Sequence, residues 1–214
     1  RVTRTKTNEQ MIGEFQLLHD LGWRGPVFLV DDNFIGNRRN ALRLLPDLAQ
    51  WQQAHDYPFP LCTEASVDLV EHTELLNALP AAGFNLIFCG IETLSLEALL
   101  KMKKQQNTRK TEGVHEEHYL LNAVRKIQEQ GIEVAAGFIL GADGATAASF
   151  DAHIEFIQTA GVVMAMEGLL TVLKETGLYK RLEQEGRLLE ESKGNNVSAT
   201  LNFIPQLDKD TLIA

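Results

Sequence analysis

The sequence predicts an α/β protein whose strands are parallel. Five short apolar runs each precede a helical pattern within the 214 residues, and such alternation is typical of β/α units joined by right-handed crossovers. Three of the predicted helices end at a glycine that leads within a few residues to the next strand, as expected of a left-handed C-cap (Gly83, Gly131, Gly161). Every predicted strand also ends in a polar group. These features favour either a doubly wound open sheet or a (β/α) barrel, complete or partial.

The first half of the chain supplies three of the five units. A capping-box pair, Thr7 and Gln10, opens a helix that stops at Gly22. The run 27–30 reads as a strand covered on both faces, because it is continuously apolar and follows Gly25 and Pro26. A helix over 37–55 follows, with leucines and a tryptophan at spacings of three. The next units are a strand at 60–63 with a helix at 73–82, then a strand at 85–89 with a helix from about residue 95.

The second half supplies the remaining two units. After a polar segment, a helix is predicted over 118–130, a strand over 133–140 and a helix over 149–160. The last strand spans 162–170 and the last helix 177–185. No G-x-G-x-x-G follows any strand, so the dinucleotide-binding open sheet loses its main support.

The polar strand ends mark a candidate site. In a (β/α) barrel, chemistry gathers at the carboxyl ends of the strands. The strand ends carry, in order, Asp31-Asp32-Asn33, Glu64 to Ser66, Glu92-Thr93, Gly141 to Asp143, and Thr171.

Two readings of these residues stay open. Ser66, Thr93 and Asp143 suit helix N-caps, whereas Glu64 and Glu92 suit that role poorly and favour a ligand with donor groups, or a metal. The glycines near these ends, Gly90, Gly137 and Gly141, permit either close approach of a ligand or a tight turn.

Other polar residues are read as surface. The six histidines share no ligand spacing and are expected to be surface or structural; five are expected to face outward (His55, His72, His115, His118, His153) and His19 lies in the first helix. The basic run within 101–110 reads as a solvated face, with a lid over the strand ends as the alternative (Lys101, Lys103, Lys104, Arg109, Lys110).

Composition predicts a soluble, cytoplasmic protein. No run approaches the roughly 18 apolar residues of a membrane span, and the first ten residues lack the apolar core of a signal peptide. The net charge of −9 and the scattered basic residues argue against nucleic acid as a partner. The only cysteines, Cys62 and Cys89, form neither a disulfide framework nor a C-x-x-C metal pair.

Several segments together resemble the core of a radical S-adenosylmethionine enzyme, in the branch that carries a cobalamin-binding domain. They are VFLVDDNFIGN (27–37), CTEASVDL (62–69), FCGIET (88–93), NAVRKIQEQGIEVAAGFILGAD (122–143) and TGLYKRLEQEGRL (176–188). The resemblance implies a partial TIM-like barrel of the radical SAM type over residues 1–190, followed by the start of a C-terminal extension over 191–214. The family's first strand and its C-x-x-x-C-x-x-C loop have no counterpart here, so the chain is expected to be a fragment, inactive as supplied.

The resemblance also implies roles and cofactors. Asp31, Asp32 and Asn33 stand where relatives bind the methionyl amino group. Glu64 would face the methionyl or substrate side, and Glu92 the methionyl or ribose groups. Ile139 to Gly141, with Thr171 nearby, resembles the adenine-contacting region. The implied cofactors are S-adenosylmethionine, a [4Fe-4S] cluster whose ligands are not in this chain and, for the full-length protein, cobalamin as a candidate.

The implied activity is reductive cleavage of S-adenosylmethionine to a deoxyadenosyl radical, which takes a hydrogen atom from a small-molecule or lipid substrate. The resemblance leaves two outcomes open, cobalamin-dependent methyl transfer and another radical reaction such as a rearrangement. Relatives usually carry prolines and a glycine in the segment that here reads TVLKETGLY (171–179), so its conformation is expected to differ.

Two other functions remain open from the residues alone. One is an intact small (β/α) barrel of aldolase or isomerase type, with Glu64 or Glu92 as acid or base. No lysine stands at an apolar strand end, which disfavours a Schiff-base version. The other is a non-catalytic binding module. Finally, 27–30 is expected to form an unpaired sheet edge, covered by an oligomer partner or another element.

Overall fold

The computed structural model describes residues 5–102, 104–108, 116–189 and 201–213. Its strands are β1 (Val27–Leu29), β2 (Leu61–Glu64), β3 (Phe84–Glu92), β4 (Glu133–Leu140) and β5 (Met164–Leu169). Its helices are α1 (Asn8–Asp20), α2 (Arg38–Ala54), α3 (Thr73–Ala81), α4 (Leu96–Lys101), α5 (Glu116–Gln128), α6 (Ala148–Ala160), α7 (Gly177–Gln184) and α8 (Lys209–Ile213).

The strands form one parallel five-stranded sheet in the order β1-β2-β3-β4-β5. β1 pairs with β2 with Val27 opposite Leu61, and β2 pairs with β3 with Glu64 opposite Phe88. The predicted α/β class with parallel strands is therefore confirmed. Sequential strands lie side by side because each helical connection returns the chain to the neighbouring position.

Local signals account for most element boundaries. Thr7 and Gln10 form the predicted capping box of α1, and Asn37 caps α2. The predicted glycine C-caps also hold, since Gly83, Gly131 and Gly161 all have positive φ. β3 is longer than the predicted 85–89, because its buried positions continue to alternate through Ile91, and it ends only at Glu92.

The first compact unit comprises residues 1–90, 122–135 and 162–164. Its core includes stacked and tilted aromatic rings, with centroids of Phe15, Trp51 and Phe59 between 5.6 and 5.9 Å apart. Buried Gln52 donates from Nε2 to the carbonyl oxygen of Phe59 at 2.6 Å. Gly83 at φ +91° lies against this amide, so a side chain there would collide with it. α2 is thereby fixed to the loop that leads into β2.

β1 lies at one end of the sheet order, and within the described residues it pairs with β2 alone. A cavity of about 450 Å³ lies beside it, lined by residues that include Met11 of α1, Phe28 of β1, Leu44 of α2, and Val30, which follows β1. The edge position was predicted, whereas cover by an oligomer partner stays a prediction.

The second compact unit comprises residues 91–121, 136–161 and 165–214. Its described core includes Val172, Leu182, Leu201, Phe203 and Leu212. This core joins the segment after β5 to the C-terminal residues. The predicted domain boundary at 190 stays a prediction.

Within the described residues, no helix has the length and apolar character that crossing a membrane requires.

Candidate functional site

Three carboxylates stand at the ends of β1 and β2. Asp31 and Asp32 follow β1 and are exposed, and half-buried Glu64 is the last residue of β2. Burial raises the pKa of Glu64, and the negative charges of Asp32 and Asp31 raise it further. Among the described residues, none of these three carboxylates forms an ion pair. The group therefore carries excess negative charge and favours a cation.

Asn33 links the loops that follow β1 and β2. Its Nδ2 donates to Ser66 Oγ at 3.1 Å, and its Oδ1 accepts from the Ser66 backbone N–H at 3.2 Å. The backbone N–H of Asn33 donates to Asp31 Oδ1 at 3.3 Å, closing an Asx turn. The amide side chain thus holds the loops after β1 and β2 together, which fixes where the carboxylates stand.

Ser66 does not cap its helix as predicted. It precedes the short 3₁₀ helix Val67–Glu71 and forms no side-chain cap bond. Its hydroxyl donates to Asp68 Oδ1 at 2.5 Å and contacts Asn33. The hydroxyl is taken by these side chains, so the helix start lacks its cap.

Glu92, at the end of β3, combines backbone strain with an ion pair. It adopts φ +70°, in the left-handed region that non-glycine residues rarely occupy. Its carboxylate accepts from the ammonium group of Lys104. Asn107 secures the same turn, because its Nδ2 donates to the Ile91 carbonyl at 2.8 Å. Strained residues held by surrounding contacts cluster at functional sites.

Lys104 was missed as a site residue. The basic run was read as solvated, but this member is half-buried against Glu92. Lys101 instead pairs with Glu97 one helical turn away at 2.7 Å, as a solvated face would. Lys103, Arg109 and Lys110 lie outside the residues whose side chains are described. Thr93 was predicted to cap helix α4, but the N-cap is Ser95, whose hydroxyl accepts from the Ala98 N–H. The Thr93 hydroxyl accepts from the Ser95 N–H instead.

The end of β4 holds a buried charge. Ile139 is half-buried, and Gly141 has φ +84°. Asp143 was predicted as an N-cap, but its buried carboxylate binds Arg187 and Arg181 instead. The carboxylate binds the arginines rather than a backbone N–H at the helix start, because the guanidinium groups offer several charged donors to both carboxylate oxygens.

Thr171 follows β5 and is half-buried. Its hydroxyl donates to the Leu169 carbonyl at 3.4 Å, a weak local bond that leaves acceptor capacity on the oxygen. The four predicted residues of the second unit, Glu92, Ile139, Gly141 and Thr171, therefore all stand at strand ends.

His153 contradicts the expected outward placement. It is 1% exposed, packs its ring 5.0 Å from that of Phe138, and lies 3.6 Å from Glu167 through Nδ1. The sequence held a signal, since His153, Phe156 and Ala160 share the helical spacing of one inward face. Burial lowers the pKa of His153, and the carboxylate of Glu167 partly offsets that effect.

No metal centre is formed by the described residues. No three His, Cys, Asp or Glu side chains among them are placed to hold a metal ion. Cys89 is fully buried, which raises its pKa to about 12, and burial also raises the pKa of Cys62. Both are therefore thiols rather than ready thiolate ligands at neutral pH.

Comparison with known proteins places this geometry in context. Residues 176–214 match the model of a domain of unknown function (DUF4070). The chain is 43% identical over 206 residues to an uncharacterized methyltransferase of Synechocystis sp., covering 96% of this chain and 37% of the relative. It is 38% identical over 214 residues to the hopanoid C-2 methylase of Rhodopseudomonas palustris, covering 100% of this chain and 38% of the relative. The chain thus spans less than two-fifths of the length of these relatives.

Structural comparison identifies the fold. The radical S-adenosylmethionine methyltransferase TsrM from Kitasatospora setae, with cobalamin and a [4Fe-4S] cluster bound, matches with a TM-score of 0.71 at 18% identity. The match covers 89% of this chain and 36% of that one. The predicted TIM-barrel-like fold, similar to that of radical SAM enzymes, is confirmed.

Proposed function

We propose that this chain forms the S-adenosylmethionine-binding core of a radical SAM methyltransferase. The names of two relatives and the fold of the TsrM structure support this assignment. The observation that carries it is the group of three carboxylates at the ends of β1 and β2, which have no ion-pair partner within the part of the chain that the structure describes. They provide the charge that a ligand ammonium requires.

The ammonium group of the methionyl moiety binds at Asp31 or Asp32, with Glu64 on the same side. A cation there relieves the repulsion that raises the pKa of Glu64. Charge-assisted hydrogen bonds from an ammonium to a carboxylate are also stronger than neutral ones. Asn33 contributes by holding the two loops in register rather than by taking the ligand itself.

Glu92 and Lys104 serve the remaining polar groups of the cofactor. Glu92 takes a methionyl or ribose donor, and Lys104, already paired with it, supplies a cation for the methionyl carboxylate. Ile139, Gly141 and Thr171 form the adenine side. Glu92 and Ile139 belong to strands, and Gly141 and Thr171 follow strands within two residues. Such positions suit a reactive intermediate that must be oriented and kept from water.

The [4Fe-4S] cluster does not fit the residues of this chain. Such clusters are held by cysteine thiolates, and the sequence has two cysteines, one of them fully buried. We therefore infer that these 214 residues alone assemble no cluster and do not cleave the cofactor. Bound S-adenosylmethionine would supply the methyl group, and also the deoxyadenosyl radical where a reduced cluster provides the electron, while the residues here bind and orient it.

The name of one relative indicates a candidate substrate class. A relative named for methylation at C-2 of a hopanoid makes a polycyclic lipid the first candidate. The comparisons do not favour the aldolase or isomerase alternative.

Binding of two adenosine compounds tests this proposal. S-adenosylhomocysteine carries the methionyl ammonium, whereas 5′-methylthioadenosine keeps the adenosine part and lacks that group. We expect Asp32→Asn combined with Asp31→Asn, and separately Glu64→Gln, to weaken S-adenosylhomocysteine binding about 10-fold. Affinity for 5′-methylthioadenosine should stay unchanged. Isothermal titration calorimetry measures both.

The control is Glu74→Gln, at an exposed position of α3, which matches the single change of charge in Glu64→Gln. A wild-type chain that binds neither compound would contradict the proposed function. Wild-type binding with unaffected variants would contradict the carboxylate assignment.

A further inference from the structure

The carboxylate of Asp143 is a buried anion clamped by two arginines. The residue is 6% exposed and follows β4 by three positions. Arg187 binds it in a bidentate manner, with Nη2 at 2.7 Å from Oδ1 and Nη1 at 3.1 Å from Oδ2. Arg181 adds a contact of 2.7 Å to Oδ2. Burial opposes ionisation, but the two arginines outweigh it and lower the pKa of Asp143.

Both arginines come from the segment matched by the domain of unknown function. Arg181 lies on α7 and Arg187 just after it. Arg187 is itself fixed, because its Nε donates to the Ile204 carbonyl at 2.9 Å and its guanidinium lies 5.9 Å from the centre of the Phe203 ring. The Ile204 N–H in turn donates to the Arg187 carbonyl at 2.7 Å. The clamp is therefore part of a small folded structure.

A second contact covers Gly141. A Cβ built on this glycine would lie 3.5 Å from Leu212 Cδ1 and 3.9 Å from Leu201 Cδ2. The leucines thus pack directly on the backbone at the end of β4. Gly141 adopts φ +84°, which glycine reaches without strain, and the two leucines limit the space into which the loop could move.

A third contact secures the end of β5. Asn202 Oδ1 accepts from the Val172 N–H at 3.0 Å, and its Nδ2 donates to the Val172 carbonyl at 2.8 Å. Val172 directly follows Thr171, and Asn202 is 5% exposed. One buried side chain therefore satisfies both backbone groups of this residue, which fixes the chain beside Thr171.

We propose that the described residues of this segment, 176–189 and 201–213, form a positioning element for the adenine side of the cofactor site. Arg187 is its main positioning residue and acts through Asp143 on the loop that begins at Gly141. It does not touch the ligand. The inference rests on the proposed function, since it needs the ends of β4 and β5 to contact adenine.

The test compares the same two compounds in variants of the clamp, using the gene product at its natural length. Arg187→Lys keeps the charge but loses the bidentate geometry. We expect it to weaken binding of 5′-methylthioadenosine and S-adenosylhomocysteine equally, by roughly 10-fold. The carboxylate variants at the ends of β1 and β2 are expected to weaken only S-adenosylhomocysteine binding. The ammonium-binding role of the carboxylates and the adenine-positioning role of Arg187 can therefore be distinguished. The control, Arg39→Lys, changes an exposed arginine of α2.

A purely structural role would lower the unfolding midpoint without this loss of affinity in the folded variant. Unchanged 5′-methylthioadenosine binding by folded Arg187→Lys would overturn the inference. If the variant does not fold, hydrogen exchange of the wild-type protein decides. Binding of 5′-methylthioadenosine should then protect the amides of 139–145 together with those of Arg187 and Ile204. Protection confined to 139–145 would also overturn it. A wild-type protein that binds neither compound would instead refute the proposed function.

Discussion

At the scale of single residues, the most informative groups are those that break a rule of their local structure. His153 is a nearly fully buried histidine whose two ring nitrogens lack a hydrogen bond within the described residues. Because burial lowers its pKa below the usual 6.5, the unfolded chain binds a proton more readily than the folded one. Its contribution to stability is thus complete above pH 6.5 and is lost as the pH falls below that value.

We expect the free energy of unfolding to fall between pH 7.5 and 5.5, with His153 contributing a slope of at most about 1.4 kcal/mol per pH unit. Urea unfolding at several pH values measures it. His153→Gln should flatten the slope, because glutamine does not titrate. Equal slopes for the wild type and His153→Gln would show that other groups dominate.

Glu92 invites a comparison of two truncations. Both Glu92→Ala and Glu92→Gly remove the carboxylate bound by Lys104, but only glycine occupies φ +70° without strain. We expect Glu92→Gly to be more stable than Glu92→Ala by about 1 kcal/mol in urea unfolding. Both should bind S-adenosylhomocysteine more weakly than the wild type. Equal stability of the two variants would contradict a left-handed backbone at this position.

At the scale of elements, sequence patterns predicted most of the fold because the causes are local. β4 has the predicted bounds, and α2 lies within one residue of its prediction at each end. The capping side chains and the glycine that ends α6 are written in a few adjacent residues. The end of β3 was missed, because Gly90 looked like a break while Ile91 still belongs to the buried face.

The site residues show the same difference between features that local sequence specifies and features that it does not. Carboxylates at strand ends were visible, since a glutamate after an apolar run has no local purpose. Their partners were not visible. Lys104 lies 12 residues from Glu92, and Arg187 lies 44 residues from Asp143. Such pairs form only when the chain folds. From the sequence, Lys104 therefore looked like part of a solvated basic run and Asp143 like a helix N-cap.

At the scale of the whole molecule, the C-terminal residues complete the core of the second unit. Leu201, Phe203 and Leu212 pack with Val172 and Leu182. A chain ending at residue 190 keeps Arg181 and Arg187 but loses these three apolar side chains. Each contributes roughly 1.5–3 kcal/mol of burial, against a typical total stability of 5–15 kcal/mol. We therefore expect residues 1–190 to retain the first unit and lose ordered packing in the second.

Two measurements separate the units. Both tryptophans, Trp23 and Trp51, belong to the first unit, so tryptophan fluorescence reports on that unit alone. Hydrogen exchange of β5 and α7 reports on the second. Removal of residues 191–214 should speed hydrogen exchange in the second unit by orders of magnitude, while the tryptophan fluorescence stays that of the native protein. Phe203→Ala should reproduce part of this effect, because truncating a buried phenylalanine to alanine costs about 3–5 kcal/mol of stability. Unchanged exchange in the shortened chain would mean that the core around Val172 is stable without its C-terminal side chains.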